Sequence, residues 1–176
     1  MRKFNLLITF LILFGTFLNL QSQNNFSKRK INNLKNQASQ LVEDDKKMTQ
    51  VMIDKVFSFG ELGFQEFETS KYLSSILEEN GFDVEYEISN IPTSWLATWS
   101  NGNGGPIIAL GSDFDGVPST SQYPGVAYEK PVVEGAPGHG EGHNIGVPIV
   151  ITAALALKKI MIENNIDGTL LLWPGV

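Results

Sequence analysis

The stretch NIGVPIVITAALALKKIMIENNIDGTLLLW, residues 144–173, decides the fold class. A short apolar run over 169–173 predicts a strand, and IIAL at 107–110 predicts an earlier strand that is apolar on both faces. Before the later strand, apolar residues recur at helical spacing: Ile149, Ala153, Ala156, Leu157, Ile160 and Met161. The order strand, long loop, helix, strand is typical of a right-handed crossover in an α/β sheet.

Two further helices are predicted upstream of these strands. Residues 27–59 carry apolar residues at spacings of three, four and seven, which predicts one amphipathic helix packed on the domain. The same spacing predicts a helix over 68–80, and Asn80 with Gly81 supplies its stop signal. Alternation predicts strands at 84–88 and 95–100, followed by a turn at NGNGG, 101–105.

Composition limits the classes of function. The chain has 176 residues, 42% of them hydrophobic and 18% charged, which fits one domain of about 100–200 residues. A formal net charge of −6 argues against a phosphate-backbone partner, so we expect no nucleic-acid binding. The chain contains no cysteine, so any metal must be held by nitrogen and oxygen.

The N-terminus predicts export. Arg2 and Lys3 precede the apolar run LLITFLILFGTFLNL at 6–20, and the polar QSQNN follows it. This is the pattern of a secretory signal. We therefore expect a signal peptide at 1–23, a domain over 24–176, and a secreted or periplasmic protein. Because no clear Ala-x-Ala cleavage site follows the run, an uncleaved membrane anchor stays an alternative.

The candidate chemistry lies in the loop from residue 111 to residue 143, at the carboxyl end of a predicted strand, where sites of open α/β sheets collect. GSDFDGVP at 111–118 opens the loop, and GAPGHGEGHN at 135–144 holds both histidines. Asp113 and Asp115 are one residue apart and would face one site if the strand continued. Glu141 and His143 share that spacing.

Spacing alone leaves three interpretations of the glycine-rich motif open. Glutamate and histidine suit Zn²⁺ or Mn²⁺, and glycine lets the backbone fold closely around an ion. Backbone N–H groups at the start of the following helix would instead hold an anion. The third interpretation is a mobile loop with exposed histidines. For Asp113 and Asp115 the alternative is a pair of solvated turn carboxylates.

Four motifs in one order resemble a known family. They are GELGFQEFETSKYLSSILEENGFDVE, GSDFDGVP, GAPGHGEGHN and GTLLLWPG. Together they resemble the amidohydrolase branch of the aminoacylase/carboxypeptidase metallopeptidases, which includes the aminobenzoyl-glutamate and indole-acetyl-amino-acid hydrolase groups. The resemblance covers about residues 45 to 176. It implies the α/β three-layer sandwich of the zinc-exopeptidase type, of which this chain would be the first, incomplete part.

The resemblance also implies a chemistry. Two divalent metal ions, zinc or manganese, would assist cleavage of the amide bond in an N-acyl or N-aroyl amino acid or a short peptide. The family's general base and the ligand after it match no residue of this chain, so the resemblance implies a fragment that is inactive alone. It leaves room for a homodimer in the complete enzyme. The alternative is a secreted non-catalytic domain whose glycine-rich loop binds an anion or a partner.

Site residues follow by matching position. Glu141 takes the place of a cysteine ligand and His143 that of a histidine ligand. The change from sulfur to oxygen favours manganese or a loosely held zinc. Asp115 matches the aspartate that supports the site from behind the ligands. Asp113 stands where other branches carry a metal-binding histidine, and His139 precedes the ligand pair without an assigned role.

Overall fold

The computed structural model describes residues 26–175. The predicted signal peptide at 1–23 lies outside them. In chain order the elements are α1 (Lys28–Asp44), α2 (Lys46–Phe59), α3 (Phe67–Glu79), β1 (Asp83–Tyr86), β2 (Trp95–Asn101), β3 (Ile107–Asp113), α4 (His143–Asn164) and β4 (Gly168–Gly175), with a 3₁₀ turn at Ile88–Asn90. The fold is mixed α/β, as predicted.

The four strands form one sheet in the order β1-β2-β4-β3. Strands β3 and β4 are parallel and paired from Ile107 opposite Thr169 to Asp113 opposite Gly175. Strand β2 is antiparallel to both β1 and β4. The predicted crossover is therefore present: α4 joins two neighbouring parallel strands, and the long loop after β3 leads into it.

Helix α4 covers the parallel part of the sheet. It has 22 residues, contains Pro148 and ends at Asn165, which is left-handed with φ 50°. Among the described residues it is the one helix long and apolar enough to cross a membrane by length and composition, with a mean hydropathy of 2.0 in its most apolar stretch. Val147, Ile151 and Ala154 are fully buried. Its apolar character is therefore that of a core helix.

The core lies between one face of the sheet and helices α2, α3 and α4. Leu170 and Leu172 of β4 point into it and are fully buried. Helical residues pack against them: Met52, Val56, Leu73, Leu77, Val147, Ile151 and Ala154. Burying each large apolar side chain stabilises the fold by about 1.5–3 kcal/mol. This packing fixes α4, and with it the residue that begins α4, relative to β3.

The opposite face of the sheet is more open. Because side chains alternate along a strand, Leu171 and Trp173 point away from the core. The Trp173 ring lies over Gly111, where there is no room for a side chain. Trp173 is 42% exposed and Ile107 of β3 is 67% exposed. The described residues thus form two packed layers, and the third layer of the predicted sandwich is not among them.

The predicted helix over 27–59 is two helices. It breaks at Asp45, which has φ −88° and ψ 2°. Helix α1 has no fully buried residue, and its Leu34, Ala38 and Leu41 are half-buried at helical spacing. Helix α2 is anchored by Met52 and Val56 and by a 2.7 Å contact between the hydroxyls of Thr49 and Thr152.

Strand boundaries also differ from prediction. Strand β1 ends at Tyr86 because Glu87 and Ser89 adopt left-handed conformations with φ 55° and 58°, which takes Ile88 out of the strand. Strand β3 runs three residues beyond the predicted end, to Asp113, because its ladder with β4 continues that far. The extension places Asp113 at the carboxyl end of the sheet, beside the start of α4.

Candidate metal centre at the carboxyl end of strand β3

The loop after β3 and the start of α4 bring four predicted residues together. Asp113 ends β3, Asp115 follows two residues later, and His143 is the first residue of α4. Gly142, with φ 99°, makes the turn into the helix. A left-handed conformation of this kind is easily reached only by glycine. His143 therefore enters the site directly from a helix end that the core holds in place.

The His143 imidazole lies among three carboxylates. Its Nδ1 is 2.7 Å from Oδ1 of Asp115. Its Nε2 is 3.6 Å from Oε2 of Glu141 and 3.9 Å from Oδ2 of Asp113. An ionised carboxylate only accepts, so Nδ1 donates to Asp115, and the neutral ring then has its lone pair on Nε2. That lone pair faces the two other carboxylates.

The charges around His143 favour a cation. Burial by itself lowers the pKa of His143, but the hydrogen bond to Asp115 and the negative charges of Asp115, Glu141 and Asp113 outweigh it. The pKa is therefore raised above 6.5. The same field that stabilises an imidazolium would stabilise a divalent metal ion bound at Nε2, where the ring is neutral.

The donor set fits a divalent ion chemically. One imidazole nitrogen and carboxylate oxygens are ligands of zinc and manganese, and a metal-bound histidine almost always donates its other N–H to a carboxylate or carbonyl. Ligand atoms of one tetrahedral zinc ion lie roughly 3.3–3.5 Å apart. Across residues 26–175, no group of three or more His, Asp or Glu is already arranged to hold a metal. The distances from Nε2 to Glu141 and Asp113, 3.6 and 3.9 Å, are slightly longer than that ligand separation.

The segment after Asp115 is pinned by backbone contacts from two sides. Gly116 N donates to the Glu61 carbonyl at 2.5 Å. Val117 and Gly138 exchange two hydrogen bonds of 2.8 and 3.1 Å. Asp115 is thereby held where the end of α2, the loop after β3 and the loop before α4 meet.

Close backbone approach explains several glycines of this region. A Cβ on Gly116 would lie 2.9 Å from the Glu61 carbonyl oxygen, and one on Gly138 would lie 2.5 Å from that of Thr120. Gly142 instead has open space and a left-handed φ of 99°. Gly138 and Gly142 therefore serve different purposes: the first permits close backbone packing, and the second permits the left-handed turn into α4.

His139 is more deeply buried than the four residues of the carboxylate cluster. It is 9% exposed, and its Nε2 lies 3.1 Å from the carbonyl oxygen of Val56 in α2. Its Nδ1 has no hydrogen-bond partner among the residues described. Burial lowers the pKa of His139, and the Val56 carbonyl together with the charge and backbone of Asp115 opposes this only in part. The residue joins the loop to α2, while Asp113, Asp115, Glu141 and His143 form the candidate centre.

Glu66, just before α3, is a carboxylate that our sequence reasoning did not identify. Its side chain is fully buried. It accepts hydrogen bonds from Thr93 Oγ1 at 2.8 Å and from Phe64 N at 3.0 Å. A signal was present in the sequence, because residue 66 shares helical spacing with Leu73 and Leu77 on the face that α3 buries.

Sequence comparisons relate the chain to named hydrolases. No family model matches it. It is 34% identical over 128 residues to one of the subunits of p-aminobenzoyl-glutamate hydrolase from Escherichia coli (strain K12), covering 73% of this chain and 26% of that protein. It is 29% identical over 112 residues to IAA-amino acid hydrolase ILR1-like 6 of Arabidopsis thaliana, covering 64% of this chain and 22% of that protein. The chain thus spans about a quarter of the length of these relatives.

Solved structures share the fold. A candidate aminohydrolase from methicillin-resistant Staphylococcus aureus matches 79% of this chain and 34% of its own, with a TM-score of 0.65 and 19% identity. The Bacillus subtilis YXEP protein, a dinuclear metal-binding peptidase of the M20 family, matches 80% of this chain and 35% of its own, with a TM-score of 0.52 and 22% identity. These findings confirm the resemblance predicted from the four motifs.

Proposed function

We propose, from the relationship of this chain to the amidohydrolase-type hydrolases, that it is part of a metal-dependent hydrolase. Its substrate is an N-acyl or N-aroyl amino acid or a short peptide, of which it cleaves the amide bond. The observation that carries the proposal is the His143 ring, whose Nε2 faces Glu141 and Asp113 while Asp115 holds Nδ1 at 2.7 Å. The names of the two curated relatives support the substrate class.

Each residue of the candidate centre has a distinct part in this proposal. His143 and Glu141 bind metal, with Asp113 as a third ligand from the end of β3. Asp115 fixes the tautomer of His143, so that Nε2 is free to coordinate. Divalent ions held by these residues would supply Lewis-acid polarisation of the substrate carbonyl and activation of water. Glu141 supplies oxygen rather than sulfur, which favours manganese or a loosely held zinc.

The four residues of the centre supply one imidazole and three carboxylates. A two-metal site needs ligands for both ions, and His139 is committed to the Val56 carbonyl. The family resemblance implies that the general base lies outside this chain, and the loss of such a base typically reduces the rate by about 10²–10⁴. We therefore propose that the 176-residue chain binds metal weakly and does not hydrolyse amides alone. The complete hydrolase would supply the remaining groups, as a monomer or a homodimer.

Export of the protein is part of the proposal. The basic start and apolar run of residues 1–23 support a secreted or periplasmic location. Intact-mass measurement of exported protein would show a mature chain that begins between about residues 21 and 25. A full-length chain confined to the cytoplasm would contradict it.

The anion-binding alternative is disfavoured by charge. The start of α4 points into a region that already holds Asp113, Asp115 and Glu141. The partial positive charge of a helix N-terminus is worth about 0.3–1 kcal/mol to an anion, and three neighbouring carboxylates oppose it. A cation is the better occupant.

Calorimetric titration with MnCl₂ and with ZnCl₂ tests the function. We expect binding to the unmodified chain, none to the His143→Ala variant, and weaker binding to Glu141→Gln. Glu134→Gln is the matched control, because Glu134 is an exposed carboxylate of the same loop. Glu141→Cys should shift preference toward zinc.

Two outcomes would contradict parts of the proposal. Equal metal binding by His143→Ala and by the unmodified chain would show that His143 is not a metal ligand. Metal-dependent hydrolysis of aminobenzoyl-glutamate by the purified chain, absent in His143→Ala, would confirm the chemistry but overturn the proposed inactivity of the chain alone.

A further inference from the structure

We infer that Glu66 is a positioning residue of the candidate centre: it fixes the turn that supports Asp115, and thereby sets the direction in which His143 presents Nε2. The inference rests on the proposed function for what the centre does. Its geometric part stands on contacts among residues 61–66, Thr93 and Asp115, none of which binds metal in the proposal.

The burial of Glu66 is the first observation. The side chain is fully buried beside the apolar core. None of the ion pairs among residues 26–175 includes it. Burial raises the pKa of Glu66, its hydrogen bonds lower it less, and the negative charge of Asp115 adds to the rise. A buried carboxyl without a cation destabilises a fold, so this residue requires an explanation other than packing.

The turn before α3 supplies that explanation. Phe64 has φ 63°, a left-handed conformation that is unfavourable for a residue with a side chain. Its ring is 58% exposed, so packing does not hold it there. Its N–H donates to Oε1 of Glu66 at 3.0 Å, and Gln65 N donates to the Leu62 carbonyl at 2.9 Å. The Glu66 carboxyl therefore stabilises the turn from inside.

The same turn contacts the segment that carries Asp115. Leu62 forms a parallel bridge with Gly116. A Cβ placed on Gly63 would lie 3.7 Å from Oδ2 of Asp115 and 3.9 Å from Oε1 of Glu66. Both carboxyls thus border the same glycine. The Asp115 side chain lies against this turn, and its Oδ1 holds His143.

A second hydrogen bond ties Glu66 to the sheet. Thr93, which is 1% exposed, donates to Oε2 at 2.8 Å. Thr93 lies two residues before β2, so the bond fixes the turn relative to the strand that pairs with β4. A displacement of Glu66 would be transmitted through the turn to Asp115, and from Asp115 to the imidazole.

Nitrogen NMR of the two imidazoles tests this chain of contacts. Because the protein has 2 histidines, both rings can be observed separately, and His139→Asn assigns the remaining signals to His143. In metal-free protein at about pH 9.5, well above the ordinary histidine pKa of about 6.5, the rings are neutral. We expect His143 to carry its proton on Nδ1, because Asp115 accepts it there.

The variants are Glu66→Gln and Thr93→Val, with Glu68→Gln as the matched control at an exposed carboxylate two residues away. Glutamine replaces one of the two accepting oxygens by an NH₂ donor, so the Phe64 N–H and the Thr93 hydroxyl can no longer both donate in their present geometry. We expect Glu66→Gln to change the Nδ1–H to Nε2–H ratio of His143 roughly fivefold toward Nε2–H. Thr93→Val should produce a smaller change in the same direction, and Glu68→Gln none.

A purely structural role for Glu66 gives a different result. It would lower the free energy of unfolding in urea and leave the His143 tautomer of the folded protein unchanged, which would overturn the inference. If Glu66→Gln does not fold, Thr93→Val tests the inference instead. This variant removes one neutral donor to Glu66, and the His143 tautomer ratio is measured in the same way. The readout needs no metal and no turnover, so failure of the proposed function in the metal titration remains distinguishable from failure of this inference.

Discussion

Two imidazoles four residues apart in one glycine-rich motif have opposite surroundings. His139 is buried against α2, where it meets a backbone carbonyl. His143 lies at the start of α4, among three carboxylates. Both residues are histidines, and each directly follows a glycine of the same motif. The difference shows that the neighbouring segments, rather than the motif itself, determine which histidine lies among carboxylates and which one packs against a helix.

Replacing each histidine by alanine should show the largest difference between the two regions, measured as the free energy of unfolding. His139→Ala removes a buried ring and its contact with Val56, so we expect the free energy of unfolding to fall by about 2–4 kcal/mol. His143→Ala removes a partly exposed ring and one hydrogen bond, so we expect a fall of about 1 kcal/mol or less. Urea denaturation of metal-free protein measures both. Equal losses would mean that His139 is not the structural member of the pair.

Substituting the glycines beside the two rings should lower stability in the same order, more beside His139 than beside His143. Gly138→Ala places a Cβ 2.5 Å from the Thr120 carbonyl oxygen, and we expect a loss of about 1–3 kcal/mol from overpacking. Gly142→Ala meets no atom within 4 Å and has only its left-handed φ to accommodate, at about 1 kcal/mol. Thermal unfolding of both variants tests this order. A greater loss for Gly142→Ala would place the tighter packing beside His143 instead.

The smallest effect concerns pH. The pKa of His143 is raised and that of His139 is lowered relative to 6.5. The stability that His143 contributes is therefore full below about pH 6.5 and is lost as the pH rises through its folded pKa. For His139 the sign is opposite: stability is present above about pH 6.5 and lost as the pH falls through its folded pKa.

An NMR titration of both rings measures these two pKa values in one experiment. Asp115→Asn should lower the pKa of His143, because it removes the negative charge that stabilises the protonated ring and leaves only a neutral acceptor. It should have less effect on His139. If both rings titrated with the same pKa, the predicted electrostatic difference between the two regions would be wrong.

Local pattern predicted most of the elements. The spacing of apolar residues located α3 to within two residues and indicated a helix through 149–161, which lies inside α4, and the short apolar run located β4 to within two residues. The order of elements predicted that β3 and β4 are joined by a crossover. The break at Asp45 was missed, because the apolar spacing continues across it. The environment of Ile88 was missed too, because it depends on left-handed turns rather than on alternation.

The site was predicted only where its residues are close in sequence. Asp113 and Asp115 on one side and Glu141 and His143 on the other were identified from short motifs, and all four meet in the structure. The surroundings of His139 and Glu66 could not be predicted in that way. Val56 is 83 residues from His139, and Thr93 is 27 residues from Glu66. Such pairs form only when the chain folds.

The open face of the sheet gives the molecule an intrinsic optical reporter. The three tryptophans of the protein occupy different environments. Trp95 is 1% exposed, the Trp99 ring centre lies 5.3 Å from the Lys158 ammonium, and Trp173 is 42% exposed over Gly111 on the open face. With phenylalanine at the first two positions, Trp173 fluorescence would arise from a solvated indole alone. Its emission would move to shorter wavelength when protein or ligand covers that face, and collisional quenching by iodide would fall at the same time.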